Sequence, residues 1–593
     1  MVRGCRPKVT IWFRSVGSDS HRMNRSLSVS EHPSRARRAR PLPDSLGASV
    51  ITPSRRSLGA AAFMVTAATI TGCSAPGDGG STAGPAEGGT LTYALDTPLN
   101  SLDPNLAGAA QEGRVLRQVV DSLVSLDADG AVQPWLAEEW EVSDDGEQYV
   151  FTLRDDVMFS DDTPLNAEAV CFNFDRIADP ANGSLGAKPM LGPYAGCEAT
   201  EEFTATISLT EPFVPFLNYA SSTFLGIASP AAVETMGAAE FAQAPVGSGP
   251  FVVESYTPND RVTMVRNEDY QWGPATAAHQ GPAYLDKLVF QIIPDATVRI
   301  GSLRAGEVDM IGVVPETEFT AVDADTTLDL LSEPQPGTTA QLFLNQSQPG
   351  LDDVNVRKAI RAAVDWETAV QSLYFGAYDY AWGLLTPVTP GYSDSAEGAY
   401  EYDPELAAEL LEEAGWIEGA DGIREKNGER LVLRYIESDP SVQKKQDYGS
   451  FIAANLADVG IEVDLAFQAN APLQADRQNS NYALATLSYS NADPNVLANT
   501  LLSSNIPTPE QATFNLSHIE DSELDALLAE GRTETDADAR AAIYEEVQDI
   551  VIENAYTIGM YVPVYTIASK AGITGLSFSI GYPMLYDVQL PSS

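Results

Sequence analysis

One stretch constrains the fold of this chain more than any other: Leu136 to Ile177, LAEEWEVSDDGEQYVFTLRDDVMFSDDTPLNAEAVCFNFDRI. Trp140 and Val142 lead into the turn Asp144-Asp145-Gly146. Beyond it Tyr149, Phe151 and Leu153 alternate onto one face, which predicts a β-hairpin. A second polar turn, Ser160-Asp161-Asp162-Thr163-Pro164, hands the chain to a helix with Asn166 as its N-cap and Val170, Phe174 and Ile177 at helical spacing. The unit is a hairpin, a turn and a helix, and the spacing by itself implies no more.

With 593 residues the chain is longer than one core normally serves, so two or three lobes are expected, and 44% apolar residues suffice to fill them. Net charge is −48. Residues 1–72 hold 12 Lys+Arg against 3 Asp+Glu, and the 23 basic and 80 acidic residues that remain leave −57 from Cys73 onward. Such a surface repels phosphate backbones and anionic headgroups, which argues against nucleic-acid binding and against membrane binding through basic patches. A solvated acidic coat explains the excess without a specific partner.

Residues 1–54 are rich in Arg, Ser and Pro and read as a tail. Arg55-Arg56 then precedes a mostly apolar run, Leu58 to Ile70, too short to span a bilayer but suited to the core of an export signal. Its end, Ile70-Thr71-Gly72-Cys73, resembles a lipobox, so Cys73 is the expected lipidation site. Ser-Arg-Arg-x-Leu also has some likeness to a twin-arginine signal. The 16 residues after Cys73, SAPGDGGSTAGPAEGG, predict a flexible tether with a mean reach of about 20–25 Å. Because a basic tail precedes an otherwise complete signal, a start later than Met1 is expected, with Val50 as a candidate.

In the exported part Cys171 and Cys197 form an even pair in an oxidising compartment, which favours a disulfide over two free thiols. No metal or other cofactor is expected. The cysteine spacing does not fit zinc, and the only histidines there are His279 and His518, although a nickel chelate bringing its own ligands remains compatible.

Further along, Leu91, Tyr93 and Leu95 alternate as a strand, and Val115, Val119 and Leu123 share one face of an expected helix. Gly247 and Gly249 bracket Ser248. Lacking the Gly-Lys-Ser/Thr ending of a phosphate loop, they are expected to permit a tight backbone approach where the chain re-enters a lobe. Strands are predicted at Phe203–Leu209, Leu285–Ile293, Gln341–Asn345, Leu431–Ile436 and Ile461–Phe467. Helices are predicted after Asp295, Asp353 and Asp403, from Gln443 to Leu456, and over Asp521–Glu530 and Asp538–Ile550. The α/β alternation argues for a wound lobe.

The order LAE-W-V-DDG-Y-F-LR-V-FSDDTPL-AE-V-F-F-R in the opening stretch closely resembles the signature of the family 5 extracytoplasmic solute-binding proteins, receptors of ABC importers for oligopeptides, dipeptides, nickel complexes and related solutes. Leu102-Asp103-Pro104, the Gly247–Gly249 element, Glu307-Val308-Asp309 and DDVNVRKAIRAAVDWE from Asp352 match further blocks, so the resemblance spans Leu91 to about Val564. It implies a two-lobed α/β fold of the periplasmic-binding-protein type, class II and large, with an extra subdomain in the first lobe. The expected layout is tail and signal 1–72, tether 73–89, first lobe 90–120, inserted subdomain 121–244, first lobe again 245–335, second lobe 336–560, and a return to the first lobe over 561–593. Motif order places hinge crossings near Val120 and Pro245, with a third near Tyr561.

The resemblance implies a solute buried between the lobes, and closure that presents a surface to a membrane-embedded permease. Peptide-binding relatives hold the ligand's ammonium with an aspartate three positions before the acidic residue of an Asp/Glu-Pro pair. Here the pair is Asp493-Pro494 and that position is Ser490, so Asp493 either substitutes for the anion or serves as a turn residue. Tyr489, Asn491, Trp382 and Tyr380, with Tyr482, lie near segments that line the family's cleft, and are either ligand contacts or core packing. The expected protein is a monomeric receptor for a peptide or similar small solute, touching the membrane only through its lipid. Two rival readings are a secreted hydrolase using paired carboxylates, for which no GxSxG or HExxH motif is present, and a ligand sensor of the same fold.

Overall fold

Thr90–Leu95 is a strand with neighbours on both edges, which is why Leu91, Tyr93, Ala94 and Leu95 can all be apolar and fully buried. In the computed structural model, which describes residues 87–591 apart from 128–129, 185, 440–443 and 580, it pairs in parallel with Lys287–Ile292 and Met310–Gly312. Cys73 and the expected export signal lie outside the described residues. Parallel neighbours need a crossover. The helix Ala296–Ala305, capped by Asp295 and ended by Gly306 at φ +76°, supplies it. The full sheet has seven strands, in the order Leu328–Pro334, Val564–Lys570, Met310–Gly312, Thr90–Leu95, Lys287–Ile292, Arg261–Arg266 and Phe251–Thr257.

The hairpin Ala137–Val142 and Gln148–Leu153 is extended by Thr204–Leu209 and Tyr194–Glu201 into a four-stranded antiparallel sheet. Tyr149, Phe151 and Leu153 face its core, and the helix Ala167–Ala178 covers them, with Asn166 Oδ1 accepting from the Ala169 amide at 3.0 Å. Cys171 on this helix is bonded to Cys197 on the edge strand, with Cα atoms 5.0 Å apart. Closing that loop removes about 3.5 kcal/mol of chain entropy from the unfolded state.

The core of this subdomain is continuous with that of the seven-stranded sheet, one cluster running from Leu91 through Phe151 and Phe216 to Phe290 and Tyr586. Val120 and Pro245 therefore join two parts of one lobe and are not hinge crossings. The helix expected through Val115, Val119 and Leu123 spans only Ala110–Leu116. Its continuation is claimed by a distant segment, because the carbonyls of Gln118 and Val119 accept from the amides of Phe251 and Gly249 at 3.0 and 2.9 Å. A Cβ on Gly247 would stand 2.1 Å from the Val119 oxygen, and one on Gly249 2.5 Å from its carbonyl carbon, so these glycines do permit a close backbone approach.

The second lobe is built on a five-stranded sheet, Glu462–Gln468, Val432–Ser438, Leu484–Leu487, Ala340–Leu344 and Thr557–Tyr561. Lys445–Asp458 and Asn470–Gln478 connect its parallel members. Helices Val354–Ala363 and Pro404–Glu413 begin at the caps Asp353 and Asp403. Ser522–Thr533 and Ala537–Glu553 pack with Val496–Leu501 around Leu497, Leu524, Leu528, Tyr544 and Val551. Among the described residues no helix is long and apolar enough to cross a membrane.

Candidate ligand cleft

The two large sheets are joined by two neighbouring passages of chain, Gln335 to Thr339 and Val562 to Pro563. The Gln335 amide donates to the Pro563 carbonyl at 2.9 Å, so the passages are paired where they cross. The segment Tyr489–Asn491 lies against the first passage. Thr338 N donates to Tyr489 O at 2.8 Å, Tyr489 N to Thr338 Oγ1 at 2.8 Å, and Asn491 N to Pro336 O at 2.9 Å. Gly337, at φ +126°, makes this contact possible, since a Cβ there would sit 2.0 Å from Tyr489 O.

Away from the passages the lobes meet again. Val214 N, at the tip of the subdomain, donates to Arg532 O at 3.0 Å, and Arg532 Nη2 pairs with Glu211 Oε1 at 2.9 Å. Beside the first passage lies a cleft of about 600 Å³. Trp135, Glu333, Ser579, Tyr586 and Asp587 line its first-lobe side, and Val388, Pro390 and Ala492 its second-lobe side. This is the size and mixed character of a small-molecule site.

Its polar groups divide into engaged and free. Asp587 Oδ1 contacts His279 Nδ1 at 2.6 Å and Oδ2 accepts from Ala278 N at 3.0 Å, with the imidazole stacked between Tyr284 and Tyr586. Asp127 accepts from Ala131 N and Gln133 Nε2. The Ser579 hydroxyl is buried with no hydrogen-bond partner among the described residues. Glu333, partly buried near the end of an edge strand, makes no ion pair or hydrogen bond through its carboxylate among them, and burial raises its pKa. Trp135 Nε1 is buried with no hydrogen-bond partner among the described residues, and Arg117 lies over its ring, 5.1 Å from the centroid. Among the described residues no Lys, Arg or His lines the cleft.

Beneath this wall sits a buried carboxylate, Asp121. It accepts from Ser248 Oγ at 2.9 Å, Trp272 Nε1 at 3.0 Å and Tyr270 OH at 3.4 Å. Desolvation outweighs these donors and nearby Arg117, and pushes its pKa up to about 7; burial likewise lowers Arg117 to about 10.

The ligand-contact candidates singled out from sequence fall in three places, and of their segments only Ala492 reaches the cleft. Ser490 bridges Gly337, and Asn491 Oδ1 accepts from Asp493 N at 2.9 Å. Asp493 is buried and held by Arg540 at 2.7 and 3.1 Å, with Oδ1 also accepting from Asn495 N at 2.8 Å. Of the two roles that the sequence leaves open for Asp493, these contacts are those of a turn residue whose charge is paired with Arg540. Tyr380 and Trp382 line a separate cavity of about 260 Å³ on the second lobe with Trp366 and Tyr400. Tyr482 is core, its hydroxyl donating to Leu516 O at 2.9 Å. The cleft residues Trp135, Glu333 and Ser579 carried no local sequence signal.

Two α/β lobes joined by paired passages, with a cleft between them, define a two-lobed solute-binding protein of the periplasmic type. Residues 131–507 match the model of the bacterial extracellular solute-binding proteins, family 5, and this chain belongs to that family. Heme-binding protein A of Haemophilus influenzae is 32% identical over 483 residues, 77% of this chain and 83% of that protein. The glutathione-binding protein GsiB of Escherichia coli is 28% identical over 494 residues, 82% and 91% of the two chains. The crystal structure of NikA from Brucella suis in complex with Fe(III)-EDTA superposes with a TM-score of 0.75 at 25% identity, covering 84% of this chain and 99% of that one. The protein is thus an extracytoplasmic, non-enzymatic solute receptor of the kind that serves ABC importers.

Proposed function

We propose that this chain is a monomeric, lipid-anchored receptor that captures a peptide or similarly amphipathic solute between its lobes and hands it to a membrane-embedded ABC import permease. The observation that carries the solute-capture part is the cleft itself. It is bounded by both lobes and lined by proline, aromatic and small apolar side chains around the unpaired Ser579 hydroxyl and Glu333 carboxylate. A solute touching both walls binds the closed arrangement better than an open one, and that difference in affinity drives closure. The peptide-like substrate class is supported by the relative named for glutathione, itself a small peptide. The anchor rests on Ile70-Thr71-Gly72-Cys73, where a thioether can form only on the Cys73 sulfur.

Two measurements test the proposal. Mass spectrometry of small molecules released from the purified protein should return peptides, and release of sugars or metal chelates alone would remove the peptide reading. Labelling with a fatty-acid analogue should mark the wild type and not Cys73→Ala; equal labelling of both would sink the anchor.

A further inference from the structure

We propose that the cleft selects a solute bearing a cationic group, with Glu333 as the counter-charge and the Ser579 hydroxyl as a hydrogen-bonding partner. The inference rests on the receptor reading and narrows its substrate class. Three observations converge on it.

Among the described residues the charged groups on the cleft wall are all acidic: Asp127, Glu333 and Asp587. Asp127 is occupied by Ala131 N and Gln133 Nε2, and Asp587 by His279 and Ala278 N, whereas no group among the described residues neutralises Glu333. A carboxylate drawn partly out of water without a partner is a standing cost, and a ligand ammonium or guanidinium removes it.

The Ser579 hydroxyl is more than nine-tenths buried and unpartnered on the same wall. Buried polar atoms are normally satisfied, so one left open in a cleft points to a group that arrives with the ligand. A hydroxyl can donate to a carbonyl or accept from an ammonium.

Position gives the pairing a further effect. Glu333 lies one residue before Pro334 at the end of its strand, and the chain turns there into the first passage between the lobes. A cation held by Glu333 therefore sits beside the passages, with Val388, Pro390 and Ala492 of the second lobe across the cleft. The charge contact and the apolar contact come from different lobes, which makes the pair sensitive to closure.

The test uses the full purified protein and a defined mixture of matched solutes: trialanine and N-acetyl-trialanine, arginine and citrulline, spermidine and triethylene glycol. Retained solutes are identified by mass spectrometry, and their affinities are measured by calorimetry on the wild type, Glu333→Gln and Ser579→Ala. The cationic member of at least one pair should bind the wild type at least about tenfold more tightly than its neutral counterpart. That preference should vanish in Glu333→Gln, the loss of affinity falling on the cationic member, with a melting temperature no lower than that of the wild type. Ser579→Ala should weaken the same solute severalfold and leave the preference for the cation in place. Binding of each neutral solute by the wild type as tightly as its cationic counterpart would overturn the inference and leave the receptor reading standing. Retention of nothing by the wild type would overturn both for these solute classes. A charge preference that survives in Glu333→Gln would exclude Glu333 as its source.

Discussion

Arg540 grips Asp493 with both terminal nitrogens, at 2.7 and 3.1 Å, in a site where the two side chains are only 13% and 5% exposed. A bidentate pair of this kind is expensive to break from one side, because the survivor keeps its desolvation cost without a partner. Asp493→Asn is therefore expected to lower unfolding free energy by roughly 3–5 kcal/mol, read by denaturant titration. Its effect on binding should be the same for a free and an N-acetylated peptide, since no ligand amine depends on it. A selective loss of the free-amine peptide would contradict the role given to this pair.

Asp121 makes stability depend on pH. The fold raises its pKa from the ordinary carboxylate range to about 7, so the fold favours the protonated form. That contribution is complete below about pH 4, falls as the unfolded chain ionises, and is gone once pH passes about 7; over the window it amounts to at most roughly 4 kcal/mol. Unfolding free energies of wild type and Asp121→Asn, measured from pH 4 to 8, should diverge, with the wild type losing ground to the variant as pH rises. Parallel curves would show that Asp121 titrates normally.

Arg532 pairs with Glu211 and accepts from the Val214 amide, a contact between the lobes separate from the passages, where it can bias the lobes toward closure. Both side chains are substantially exposed, so the ion pair contributes only about 0.2–1 kcal/mol. Glu211→Gln should shift the unliganded protein modestly toward larger dimensions in small-angle scattering and weaken solute binding by less than about fivefold. High salt should mimic the change in the wild type and do nothing in the variant. Identical scattering and salt response in both proteins would remove the latch.

Much of the fold was legible because its signals are local. Asn166, Asp295, Asp353 and Asp403 cap helices through amides two or three residues away, and Tyr149, Phe151 and Leu153 alternate as one strand face must. The shortened helix at Leu116 was not legible, since the groups that end it come from Gly249 and Phe251, far along the chain. The cleft was hidden for the same reason. Trp135, Glu333 and Ser579 come from three separate segments, and each is unremarkable beside its own neighbours. Asp493 could be found from the Asp-Pro motif, but its partner Arg540, a long-range contact, decides what it does.

Val564–Lys570 enters the seven-stranded sheet between Met310–Gly312 and Leu328–Pro334, two strands made long before it. Synthesis and export deliver a chain from its amino end, so the second lobe, whose last strand ends at Tyr561, emerges whole while the first still has a slot in its sheet. Only the carboxyl-terminal segment fills that slot, and the same segment carries Ser579, Tyr586 and Asp587 to the cleft wall. A nascent chain thus lacks this wall of the candidate cleft until residues 564–587 have been made. A chain cut before residue 564 would keep every strand of the second lobe's sheet and lose the strand that completes the first lobe's sheet together with the wall it carries.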